Sequence, residues 1–404
     1  MKNNNNKGFI VLIASLAIQL VMGTIFMWSL FNIPFVEKFG WDKGSVVFTF
    51  SVMIFFFTFS TIFGGRLQDK YGPRKIATIG SVLFGAGVIL SSTVTEVWQL
   101  YLYYGVIAGI GAGFVYVCPV ATCVKWFPDK KGLVTGLAVS AFGVSALIFK
   151  QIALHFIKVA SVPGAFLYLG SIYTLLAIIS AQFLFLPKEI NSSSIEKKII
   201  EEDNKINVEP KEMLKQGKFY ILAMMYLFGG TACLTVIGLA RDIGVDLANI
   251  TSESATNAVA IISLFNAGGR LISGAVSDKL GIEKSTGIIY LIMTLSMAYT
   301  AFGNLEGNRY FIVLAFMAIS YGGMLTIFPT IMADYYGTKN FGVNYGIIFA
   351  VYGLGAVIGP MTATVIGLKQ TFIVSTVLCF IAVIGASYIF TKREDNINKE
   401  ESVA

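Results

Sequence analysis

Residues 265–281 read FNAGGRLISGAVSDKLG. The stretch holds two signals. An arginine, Arg270, stands among Phe, Leu, Ile, Gly and Ala, where the surrounding segment is otherwise uncharged. The second half, GAVSDKLG at 274–281, aligns with GRLQDKYG at 65–72, an offset of 209 residues. Further pairs follow at an offset of 210: Gly113, Pro119, Gly132 and Gly136 recur as Gly323, Pro329, Gly342 and Gly346. The chain therefore reads as two tandem copies of one unit. Parallel repeats of this kind describe transporters built from two halves, with the site at the repeat interface near the bilayer midplane.

The solvent follows from composition. Of 404 residues, 55% are hydrophobic and 13% charged, against about 25% charged in a soluble domain. Twelve apolar spans are expected, at 9–33, 45–65, 76–95, 98–124, 132–154, 164–186, 219–240, 254–276, 285–303, 310–333, 342–366 and 371–390. A run of about 20 apolar residues crosses the hydrocarbon core as a helix. The expected fold class is an all-α membrane protein of two six-helix bundles. The domains are 1–186, a polar cytoplasmic linker over 187–218, and 219–404 with a short tail. The first apolar run is too long for a cleavable signal and reads as a span.

Basic residues set the orientation. With both termini cytoplasmic, 22 Lys and Arg fall inside and six outside: Lys38, Lys43, Lys158, Arg241, Arg309 and Lys369. The net charge of +7 is then membrane topology and no sign of nucleic acid. Four cysteines, Cys118, Cys123, Cys233 and Cys379, all lie in apolar spans and read as core packing. One histidine, His155, and no ligand spacing leave no expected metal or cofactor.

Arg270 lies eight residues before Asp278, which marks the cytoplasmic interface. Eight helical residues rise about 12 Å, so the guanidinium sits roughly at mid-membrane. That placement costs about 2.5–3.5 kcal/mol on insertion scales. Ser263, Asn266, Arg270, Ser273 and Ser277 recur at spacings of 3, 4, 3 and 4 and form one polar stripe. Such a stripe faces protein or a water-filled cavity. None of the twelve expected spans contains Asp or Glu; Glu253 and Asp334 lie at span ends. A carboxylate anion, gripped bidentately by the guanidinium, is the expected ligand. Carbonyls and hydroxyls of neighbouring helices are the alternative partners.

GRLQDKYGPRK at 65–75, with SDKLGIEK as a weaker second copy, resembles the loop signature of the major facilitator superfamily. The resemblance implies a gating role for the loop, here Asp69, Arg74 and Asp278. GTIFMWSLFNIP, GFVYVCPVATCVKWFPDKKGLVTG, FNAGGRLISG and FPTIMADYYGTKNFGVNYG resemble the oxalate:formate antiporter family, which includes bacterial carriers of oxalate, formate, pyruvate and lactate. That likeness implies the same anion-binding role for Arg270. It also implies Tyr116 as a cavity tyrosine. In the oxalate carriers, span 11 supplies a lysine just before a glycine; the matching place here, in FAVYGLG, holds Tyr352. One deep cation favours a monocarboxylate such as lactate, pyruvate or formate, with an oxalate/formate-type antiporter as the alternative.

Tyr345, Phe349 and Tyr352 share one helical face and suggest an aromatic cage, with Trp28 and Tyr321 as further candidates. Asn266 lies one turn before Arg270, where the animal monocarboxylate carriers have an aspartate. Lys150, late in span 5, reads as a snorkelling residue or as a second cation on the anion path. Coupling by proton symport and by anion exchange both stay open. A sugar or drug carrier fits less well, because a sugar site wants several polar or acidic cavity residues. No nucleophile–base pair or cofactor motif points to an enzyme. A monomer in the bacterial inner (plasma) membrane is the expected setting.

Overall fold

The structure, a computed structural model, describes residues 2–187 and 207–401. Regular structure among them is helical. α1 (Lys2–Met22) passes through a 3-10 turn into α2 (Ser29–Phe39). α3 (Lys43–Tyr71) and α4 (Pro73–Leu90) follow. α5 (Val97–Leu100) runs through a π-helical stretch into α6 (Gly109–Trp126), and α7 covers Lys131–Ala181. The remainder comprises α8 (Pro210–Met213), α9 (Gly217–Asp242), α10 (Ser252–Leu280), α11 (Ile282–Phe302), α12 (Asn308–Tyr336), α13 (Phe341–Ile366) and α14 (Leu368–Glu401).

Local chemistry sets the boundaries. Asp42 caps α3, its carboxylate accepting from the Ser45 amide at 2.8 Å, the usual task of an aspartate at that position. Gly72 separates α3 from α4 at φ 88°, ψ 155°. Gly281 separates α10 from α11 at φ 86°, ψ 153°. These are the last glycines of the two repeat copies, and only glycine adopts such angles freely. The repeat noted in the sequence is thus a repeated backbone turn.

Ten helices among the described residues are long and apolar enough to cross a membrane. The difference from twelve expected spans has two sources. Expected spans five and six both fall in α7, 51 residues long, which breaks at Ser161 (φ 58°, ψ 179°). Pro163 lies just beyond the break; it removes a backbone donor and biases Val162 away from helical angles. The second is expected span eight, which falls in α10, where the side chains of 252–260 lie outside the described residues.

Large apolar side chains lie on the outside as well as in the core, unlike a water-soluble protein. Val365, Phe302 and Phe63 are 78%, 70% and 63% exposed, while Ser81, Thr122 and Thr286 are buried. The buried hydroxyls donate within their own helices, Ser81 to the Ala77 carbonyl at 2.7 Å and Thr122 to Cys118 at 2.6 Å. This satisfies them without water. The protein is an all-α, multi-pass membrane protein.

Contacts group the chain into two compact units: Met1–Pro210 with Met332–Ala350, and Lys211–Ile331 with Val351–Ala404. Most of the expected linker, 188–206, lies outside the described residues. Its end does not hang free. The Val208 amide donates to the Tyr336 carbonyl at 3.0 Å, and the Asn344 side chain donates to the Val208 carbonyl at 3.1 Å.

Candidate functional site

Arg270 is held in the second unit, in the second half of α10. It is only 3% exposed, and Asn266, Ser273 and Ser277 on the same face are also buried. Leu264 and Ile272, on other faces of α10, are 62% and 56% exposed. The 3.6-residue period therefore separates a polar inner face from an apolar outer one. The inner face meets α12 at very short range. A Cβ on Gly322 would collide with the Asn266 carbonyl and come within 2.9 Å of the Arg270 amide nitrogen. A Cβ on Gly323 would strike the Ser273 hydroxyl. The pair Gly322–Gly323 is what lets the two backbones approach at the level of the arginine.

Tyr321, next to that pair, is buried, and its hydroxyl lies 2.6 Å from the Tyr352 hydroxyl. The Tyr352 ring stacks on Tyr226 at 5.0 Å, and Tyr226 stacks on Phe328 at 3.9 Å. A Cβ on Gly230 would come within 2.8 Å of the Tyr352 ring. The second unit thus holds Arg270 and Asn266 where α10 meets Gly322 and Gly323, and a linked group of Tyr321, Tyr352, Tyr226 and Phe328. Tyr226 was not among the sequence candidates; it stands in an apolar span where a tyrosine reads equally as packing.

A second aromatic group forms in the first unit. Tyr116 on α6 stacks on Phe349 at 5.0 Å, and its hydroxyl is 3.5 Å from that of Tyr345. Phe57 and Phe142 close on the Tyr116 ring edge-to-face at 5.3 and 5.5 Å, a favoured aromatic geometry. The expected cage on α13 therefore belongs to two groups: Tyr345 and Phe349 pack with Tyr116, whereas Tyr352 packs with Tyr321. Trp28 lies in a third cluster with Tyr104 at 4.5 Å, Phe31, Phe35 and Phe166. Its indole N–H donates to the Val46 carbonyl at 3.3 Å. Lys150 is exposed on α7.

The three gating candidates have different surroundings. Asp69 accepts from the Gly342 and Val343 amides at 3.2 and 3.0 Å, capping α13 from the end of α3. Those are first-turn N–H groups with no partner inside their own helix. Gln68 donates to Asp69 at 2.6 Å, and Lys125 Nζ lies 3.9 Å away. Arg74 donates to Gln182 at 3.0 Å, tying the start of α4 to the end of α7. Asp278 is exposed. Gln68 and Lys125 were not singled out from the sequence; the Lys125 contact with Asp69 depends on where α6 ends. Lys131 and Asp334 add an ion pair at 3.7 Å.

The comparisons with known proteins agree with this architecture. A proton:xylose symporter, XylE, superposes with a TM-score of 0.78 over 96% of each chain at 13% identity, a likeness of fold alone. The Oxalate:formate antiporter of Oxalobacter formigenes is 28% identical over 403 residues, covering 98% of this chain and 94% of that one. An uncharacterized MFS-type transporter of Escherichia coli (strain K12), YhjX, is 30% identical over 357 residues, covering 88% of this chain and 87% of that one. The Major Facilitator Superfamily model matches residues 9–360 and 219–404, so both repeat copies fall within it. With a repeated Gly-turn loop, membrane-length helices and that match along nearly the whole chain, the protein belongs to the major facilitator superfamily.

Proposed function

We propose that this protein is a secondary transporter of small carboxylate anions, working by alternating access. The observation that carries the reading is Arg270, 3% exposed on the polar inner face of a membrane-length helix. A guanidinium there matches a carboxylate through two parallel hydrogen bonds. Exchange of the oxalate/formate type is the reading the relatives support better, because the antiporter from Oxalobacter formigenes aligns over almost the full length of both chains.

A narrower monocarboxylate reading draws on Tyr352. At this place the chain carries a neutral phenol whose hydroxyl pairs with Tyr321 at 2.6 Å. A relative named Apicoplast pyruvate carrier 1, from Toxoplasma gondii, is 24% identical over 344 residues. Proton symport belongs to this second reading.

The test is uptake into proteoliposomes. Vesicles loaded with formate should take up labelled oxalate, and external formate, lactate and pyruvate should be compared as competitors. Xylose should not compete. Uptake of sugar, or no uptake of any of these anions, overturns the proposal.

The proposed arrangement is twelve spans in two six-helix bundles over 1–186 and 219–404, joined by the 187–218 linker. The break at Ser161 supports it by dividing α7 into two lengths that can each span. Both termini are placed in the cytoplasm of a cell with the protein in its inner (plasma) membrane, as a monomer. Membrane-impermeant thiol labelling of introduced cysteines should reach sites beside Lys38, Lys158 and Asn308 from outside. Labelling of the 187–218 linker from that side would reverse the orientation.

A further inference from the structure

Gln19 lies on α1 and is fully buried. Its Nε2 donates to the backbone carbonyl of Tyr116 at 3.2 Å. The assignment of the amide is chemically forced, because a carbonyl only accepts and the nitrogen must face it. Its Oε1 is buried without a hydrogen-bond partner. A half-satisfied amide is a poor packing residue, since the bare acceptor retains its desolvation penalty.

The place where Gln19 binds is informative. Tyr116 stands three residues before Pro119, inside α6. Pro119 has no N–H to give the Val115 carbonyl four residues back, and its ring presses on that carbonyl, the neighbour of the one Gln19 binds. The turn of α6 before Pro119 is therefore one backbone hydrogen bond short. The Tyr116 ring then projects into the group formed with Tyr345 and Phe349. Phe57 and Phe142 restrict the ring from the sides, but they do not fix the backbone from which it springs.

We propose that Gln19 is a positioning residue for Tyr116. It clamps the α6 backbone one turn from Pro119 and so sets where the Tyr116 hydroxyl and ring stand on the anion path. The inference rests on the carboxylate reading above, with Tyr116 as part of that path.

The experiment measures oxalate and formate uptake by wild type, Gln19→Leu, Gln19→Glu, Tyr116→Ala and the Gln19→Leu/Tyr116→Ala double variant. Gln19→Leu should raise KM about tenfold, the effect of one hydrogen bond's worth of misplacement, with little change in maximal rate per inserted protein. In the Tyr116→Ala background the same substitution should leave KM where it was, because nothing remains to be positioned. Gln19→Glu can donate to the carbonyl only when its carboxyl is protonated. Its KM, taken as a ratio to wild type at each pH, should approach one in acid and approach the Gln19→Leu ratio in alkali.

If Gln19→Leu leaves KM unchanged, or raises it equally with and without Tyr116, the positioning role is wrong. A drop in inserted protein alone, with KM unaltered, is the signature of a packing residue and also overturns it. If wild type takes up neither oxalate nor formate, the carboxylate reading falls and takes this inference with it. Uptake by wild type with no KM effect in the variant removes the inference alone.

Discussion

Arg270→Ala should abolish carboxylate transport while leaving the protein in the membrane. The two halves of that expectation come from one side chain. Two charge-assisted hydrogen bonds to a carboxylate are worth about 1.5–3 kcal/mol each. Their loss corresponds to roughly a hundred- to ten-thousand-fold in affinity, at 1.4 kcal/mol per factor of ten. Insertion should not suffer, because removing an arginine from a helix centre relieves a cost of about 2.5–3.5 kcal/mol. The small alanine also leaves the Gly322 contact with the α10 backbone untouched. Arg270→Lys should retain little, since an ammonium is a point charge without the planar fork. Binding by isothermal calorimetry on purified protein, beside quantitation of inserted protein, separates the two effects. An alanine variant that inserts normally and transports at the wild-type rate would show that Arg270 is satisfied by its own helices and has no part in anion recognition.

Tyr352→Lys should shift selectivity toward oxalate relative to formate by about a hundredfold. A dianion held by one cation leaves a second charge in a site of low dielectric, where an unpaired charge costs several kcal/mol. Partial relief of that penalty, about 2.8 kcal/mol, is a hundredfold. Position 352 suits the exchange because its side chain is buried in the same unit as Arg270 and beside Tyr321. Tyr352→Phe is the control. It keeps the ring against Tyr226 and removes only the hydroxyl, so it should weaken binding of both anions without changing their order. The measurement is competition by unlabelled oxalate against labelled formate in all three proteins. A lysine variant with the wild-type ratio would exclude position 352 as the selectivity determinant and direct attention to Lys150. A wild type that already binds oxalate as tightly as formate would favour the exchange reading over the monocarboxylate one.

The second half of the opening stretch was legible because its consequences are local. Gly72 and Gly281 end their helices with nearly identical positive-φ backbones, and a glycine's freedom needs no partner elsewhere. The stripe through Asn266, Arg270, Ser273 and Ser277 was legible for a related reason. Helical period is a property of the segment itself, so a polar face can be read off before anything packs against it. Span length follows in the same way from bilayer thickness. Expected spans five and six fall in one helical stretch that breaks at Ser161.

Contacts made across long separations were not legible. Asp69 finds its partners at Gly342 and Val343, 273 and 274 residues further on. Gln19 meets a carbonyl 97 residues away. Tyr345, Phe349 and Tyr352 share a face by spacing, yet α13 changes compact unit between Ala350 and Val351, so the first two pack with Tyr116 and the third with Tyr321. The Trp28 N–H finds the Val46 carbonyl 18 residues further on. Periodicity by itself determined which face of α10 is polar, and apolar length that the chain is a multi-pass membrane protein. Tertiary structure alone decided which polar groups meet, because that depends on where separate helices come close enough for hydrogen bonds of about 3 Å to form.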